Sequence, residues 1–74
     1  MPTSIGERLR RARQAQNLSL EDIAGRTHIH PRYLQAMEAG NFAALVSRAQ
    51  RRGFLRLYAE ALGLDADVLL SDLE

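Results

Sequence analysis

Apolar positions recur at helical spacing along almost the whole chain. Ile5, Leu9 and Ala12, with Gln16, share one stripe of a first helix over 5–16. Ser4 stands three residues before Glu7, the spacing of a capping box, and Asn17 suits the left-handed position that ends the helix. A second helix over 20–27 turns Ile23 and Ala24 inward and is opened by Ser19, with Asp22 three residues on. Ile29, Leu34 and Met37 point a third helix, over 31–39, at the same interior. Pro31 fits its first turn, where the missing amide hydrogen would have no helical partner, and Gly40 closes it. After 41–45 comes a longer helix over 47–62, capped by Ser47 and ended by Gly63, with Leu55, Tyr58 and Leu62 on one stripe. A fifth, over 66–72, is capped by Asp65 and offers Val68, Leu69 and Leu73 to close the base. No period-two alternation lasts long enough to argue a strand. The expected fold is all-α: one compact five-helix domain spanning 1–74. Its most buried side chains are expected to be Leu9, Ile23, Ala24, Ile29, Leu34, Met37, Leu55, Tyr58 and Leu62.

Composition narrows the possible functions. A chain of 74 residues lies near the lower limit for an independent core, and its 46% hydrophobic content can supply one. No apolar run reaches about 18 residues, so no segment is expected to span a membrane. The first residues are Arg-rich with helical period rather than an apolar leader, and a cytoplasmic setting is expected. Without cysteine there is no disulfide framework, thiolate chemistry or ordinary structural zinc site. The net charge of +1 hides an asymmetry. All ten basic residues are arginines within 1–58, against Glu7, Glu21, Asp22 and Glu38, which leaves +6 there. Residues 59–74 hold Glu60, Asp65, Asp67, Asp72 and Glu74 and no base, which leaves −5. Such a body suggests a polyanionic or acidic partner, or else a solvated Arg-rich surface with end bias.

The second and third helices, joined across Thr27-His28-Ile29, have the spacing of a helix-turn-helix unit. His28 and His30 have no third ligand at a helical spacing from both, so they read as a turn residue and an N-cap, with no metal site. The carboxylates near the end read as caps and a solvated terminus. No catalytic residue and no cofactor are expected. On the fourth helix, Gln50, Phe54, Leu57 and Ala61 form a stripe beside the buried one. Bordered by Arg51 and Arg52, it reads either as a small interaction patch or as ordinary core, with Phe54 packed on the fifth helix or the 41–46 loop.

Taken together, Ile5-Gly6-Glu7-Arg8-Leu9-Arg10, Leu18-Ser19-Leu20-Glu21 with Ile23-Ala24, Arg32-Tyr33-Leu34 and Glu38-Ala39-Gly40-Asn41-Phe42 carry a family resemblance. With Arg52-Gly53-Phe54-Leu55-Arg56-Leu57-Tyr58-Ala59 and Leu62-Gly63-Leu64-Asp65, the chain resembles the N-terminal helix-turn-helix domain of RodZ-like bacterial cell-shape proteins. Its wider relatives are the Cro/C1-type (XRE) repressors, with the lambda-repressor-like fold. The resemblance implies a noncatalytic adaptor that docks on an MreB-like actin-family filament, chiefly through the fourth helix and the loop before it. It also implies that this is the N-terminal module of a longer, membrane-anchored protein, placed at the inner face of the membrane. Among the candidate partner-binding residues Gln50, Arg51, Arg52, Phe54 and Leu57, the resemblance implies Phe54 as the docking aromatic. Gln50 stands where the family has a second aromatic, and Val46 and Arg48 where prolines are common. The resemblance further implies an ion pair between Arg13 and Glu38.

The alternative function is an XRE-type DNA-binding regulator. Its reading positions fall at Pro31, Arg32, Gln35 and Ala36. Arg32 suits guanine or phosphate and Gln35 suits adenine, whereas Pro31 and Ala36 offer no hydrogen bonds to a base edge. Leu20 stands where DNA-binding relatives often carry Gln. Arg8, Arg10, Arg11 and Arg26 are left as sources of nonspecific phosphate contacts.

Overall fold

The computed structural model describes residues 3–73. Its five α-helices are α1 (Ile5–Ala15), α2 (Leu20–Thr27), α3 (Pro31–Glu38), α4 (Arg48–Ala61) and α5 (Ala66–Leu73). A single turn of 3-10 helix, Phe42–Ala44, interrupts the α3–α4 connection, and no strand occurs among the described residues. Local chemistry explains the boundaries. The Ser19 hydroxyl accepts the Asp22 amide at 3.0 Å while the Asp22 carboxylate accepts the Ser19 amide at 2.9 Å, a complete capping box. Hydrogen bonding from the Ser19 amide, and then from its hydroxyl, holds the Asp22 carboxyl below the usual carboxylate range. At α1 only half the expected box forms. The Ser4 hydroxyl accepts the Glu7 amide, but the Glu7 carboxylate turns to Arg11 one turn on, at 3.5 Å. Asn17 takes the expected left-handed conformation (φ 57°).

The core is formed by Leu9, Ile23, Ile29, Leu34, Met37, Leu55, Tyr58 and Leu62, as the helical stripes predict. Ala24 departs from expectation: it sits at the edge of the inward stripe of α2 and is only half-buried. Leu45, Ala59, Ala66, Leu69 and Leu70 join the core instead. Val68 is also corrected, being 50% exposed. At 100° per residue it lies on the side of α5 opposite Ala66, Leu69 and Leu70, and those three face the core.

Helices α1 and α3 cross closely at Gly6, which is buried. A Cβ there would stand 2.2 Å from the Glu38 carbonyl oxygen, so only glycine fits. The C-terminal ends of α1 and α4 are joined by the Gln16 side-chain amide, which donates to the Leu62 carbonyl at 2.9 Å. Among the described residues no helix is long and apolar enough to cross a membrane.

Candidate docking surface

Three side chains fix how α3 and α4 meet. Arg13 Nε and Nη2 donate to the two Glu38 carboxylate oxygens at 2.7 and 3.0 Å, a bidentate pair. Arg13 Nη1 also donates to the Leu18 carbonyl at 2.9 Å. The Tyr58 hydroxyl donates to the same Glu38 carboxylate. These side chains are well covered, at 14% exposure for Arg13 and 8% for Glu38. Burial, and then the Glu38 carboxylate, push the Tyr58 phenol well above the usual tyrosine range. The hydrogen bond to Glu38 likewise raises the Arg13 guanidinium. The cluster ties α1, α3 and α4 together, and it is a structural tie whose donors and acceptor are all engaged.

Of the five residues expected on the α4 surface, Gln50, Phe54 and Leu57 share one side of the helix. Phe54 is half-buried and packs on Tyr33 of α3, ring centroids 5.6 Å apart and planes at 58°. It also packs against the core cluster. Leu57 beside it is 44% exposed. Gln50 is engaged locally: its side-chain oxygen accepts the Val46 amide at 2.6 Å while its own amide donates to the Ser47 hydroxyl at 3.0 Å. Arg51, one turn before Phe54, and Arg52, on the far side of the helix from it, line with Arg48, Phe42 and Leu73 a cavity of about 330 Å³.

On α3, Arg32 and Gln35 are exposed, whereas Pro31 and Ala36 are half-buried. Arg32 folds back on its neighbour, with its Cζ 4.8 Å from the Tyr33 ring centroid and Nη2 donating to the Tyr33 hydroxyl at 2.9 Å. A shallow groove of about 560 Å³ runs past Arg32, Tyr33, Gln35, Ala36 and Asn41. Leu20 packs against the core. His30 Nδ1 accepts the Arg32 amide at 3.1 Å, so this histidine is the N-cap of α3, and His28 takes the left-handed turn position (φ 60°). No cluster of metal-binding type occurs among the described residues.

The charge asymmetry of the sequence is partly cancelled in space. Asp72 pairs with Arg8, whose Nε also donates to the Thr3 carbonyl at 3.3 Å. Arg8 thus ties α1 to α5. Asp67 pairs with Arg56 at 2.8 Å, and Asp65 accepts the Asp67 and Val68 amides as the cap of α5. Arg10 and Arg26 remain exposed. Glu74 lies outside the described residues.

Comparison with known proteins adds to this geometry. Residues 8–69 match a family model described as a helix-turn-helix domain. The chain is similar to an uncharacterized membrane protein, YmfM, of Bacillus subtilis (strain 168), with 44% identity over 74% of this chain and 19% of that one. It is also similar to the cytoskeleton protein RodZ of Streptococcus pneumoniae (strain ATCC BAA-255 / R6), with 45% identity over 90% of this chain and 24% of that one. A solved structure of YmfM from Staphylococcus aureus, a membrane protein for which DNA binding has been suggested, shares the fold at a TM-score of 0.87. That match has 26% identity and covers 93% of this chain and 84% of the other. The chain spans about a fifth to a quarter of the length of the curated relatives it matches.

Proposed function

We propose, starting from the fact that the chain belongs to the helix-turn-helix domain family, that it is a noncatalytic docking module of RodZ type. In this reading it presents α4 to an actin-family filament of the MreB kind, at the inner face of a membrane to which a further segment of the protein would anchor it. The carrying observation is that Phe54 and the exposed Leu57 share the side of α4 beside α3, on a chain 45% identical to a cytoskeleton protein over most of its length. The rigid Arg13–Glu38–Tyr58 tie supports the reading, because a docking face gains affinity when little must be ordered on binding. Arg51 and Arg52 contribute chiefly by steering association. Co-sedimentation of wild type and Phe54→Ala with the filament protein of the same bacterium tests it. Equal binding by the two folded proteins would sink the proposal.

The second reading, a DNA-binding regulator, is favoured by one observation: Arg32 and Gln35 are exposed together along the α3 groove. Against it, Arg32 is held on Tyr33 and must leave that ring and hydroxyl to reach a base. Binding to duplex that survives about 0.15 M salt, discriminates between sequences and depends on Arg32 would favour this reading over docking.

A further inference from the structure

We infer that Tyr33 is a positioning residue that holds Arg32 down on the surface of α3 and so keeps the helix-turn-helix from gripping duplex DNA. The inference rests on the fold and stands apart from filament docking. Helix α3 has one base, Arg32, and one acid, Glu38. Glu38 is covered and bound to Arg13 and Tyr58, so Arg32 is the one charge that α3 presents at its surface. Gln35, its exposed companion, is neutral, and the other residues lining the α3 groove carry no charge. A single side chain therefore decides whether this face attracts a phosphate.

That side chain is engaged. Adjacent residues on a helix point about 100° apart and do not face each other. Arg32 nonetheless curls across to Tyr33 and makes two contacts with it. Its Cζ stands 4.8 Å from the ring centroid, and its Nη2 donates to the phenol oxygen at 2.9 Å. Where Arg8, Arg13 and Arg56 are each held by a carboxylate, Arg32 has no ion pair among the described residues. Tyr33 takes the place of that carboxylate.

The Tyr33 ring suits this task because its neighbours fix it. Phe54 of α4 packs against it at 5.6 Å, and the His30 ring meets it edge-on, with centroids 6.5 Å apart and planes at 78°. His30 is pinned in turn, since its Nδ1 accepts the Arg32 amide at 3.1 Å. The backbone and the side chain of Arg32 are thus both held by rings that are in place before any ligand arrives. To reach a phosphate, the guanidinium must give up the ring and the hydroxyl together. An exposed cation–π contact with a hydrogen bond added is worth roughly three- to tenfold in affinity.

Freeing Arg32 should show both in binding and in the unbound domain. At about 0.05 M salt, where phosphate contacts are weakly screened, Tyr33→Leu should bind a random-sequence duplex roughly three- to tenfold more tightly than wild type. Its log affinity should also fall more steeply with log salt, by about 0.9, the signature of one added phosphate contact. Adding Arg32→Ala should cancel both gains. Tyr33→Phe keeps the ring on Phe54 and loses only the hydroxyl, so it should lie between wild type and Tyr33→Leu. In proton NMR of the wild-type domain, the ring should move the Arg32 Cδ protons upfield, and Tyr33→Leu should remove that shift. Duplex affinity no higher in Tyr33→Leu than in wild type would overturn the inference. So would a gain that survives Arg32→Ala, or unshifted Arg32 protons in wild type. If Tyr33→Leu fails to fold, Tyr33→Phe carries the test, and affinity equal to wild type then overturns the inference.

Discussion

Tyr33 of α3 and Phe54 of α4 pack with their rings 5.6 Å apart, so the exposed faces of α3 and α4 share a wall. Tyr33 also holds Arg32 through its ring and hydroxyl. A substitution at either aromatic therefore reaches both surfaces, and binding experiments need controls for this coupling.

Phe54→Ala should abolish or strongly reduce filament binding and also cost roughly 1–3 kcal/mol of stability, less than a fully buried Phe, because the ring is half-buried. Arg32→Ala should leave filament binding unchanged. Equilibrium denaturation together with co-sedimentation reads both effects. Phe54→Leu, which keeps most of the apolar volume, distinguishes a lost contact from a loosened domain.

Removing one member of the Arg13–Glu38 pair should cost about 3 kcal/mol or more, because it strands a covered charge. An exposed pair such as Arg56–Asp67 should be worth about 1 kcal/mol or less. Denaturant titrations of Arg13→Ala and Asp67→Ala compare the two directly. A cost for Arg13→Ala no larger than for Asp67→Ala would show that the pair is not effectively buried.

Alkaline pH should unfold the domain through Tyr58. Burial and the Glu38 carboxylate raise its phenol in the folded state, whereas the unfolded chain releases that proton at about pH 10. Above that value the unfolded state binds fewer protons than the folded one, so stability is complete below about pH 10 and falls as pH rises further. Thermal melts across this window should show a decline in wild type that is shallower in Tyr58→Phe.

Gly6→Ala should be among the most damaging conservative changes, because the new methyl would strike the Glu38 backbone and not a flexible side-chain end. A loss of about 2 kcal/mol or more in Tm-derived stability is expected. Leu34→Ala, a fully buried truncation, should cost about 2–5 kcal/mol. A change under about half a kcal/mol at either position would contradict the packing described here.

Periodicity and capping chemistry placed all five helices to within a residue at each end, because they are local properties: a hydroxyl three residues before an amide, a proline in a first turn, an apolar stripe. The Arg13–Glu38 pair came from family resemblance, and its sharing with Tyr58 was not foreseen. Gly6 was legible only as part of a motif, since the carbonyl it makes room for belongs to a residue 32 positions away.

What the sequence by itself determined, then, is the all-α architecture, the core stripes of α1, α3 and α4, and the helix-turn-helix spacing. Tertiary packing alone decided which exposed residues act together. It turned Phe54 toward Tyr33. It spent Gln50 on its own helix cap and folded Asp67 and Asp72 back onto the arginines. Helix propensity and capping act over three or four residues, so a single chain displays them. A surface is an arrangement of side chains from separate helices, and only the packing of the core fixes how those helices are turned.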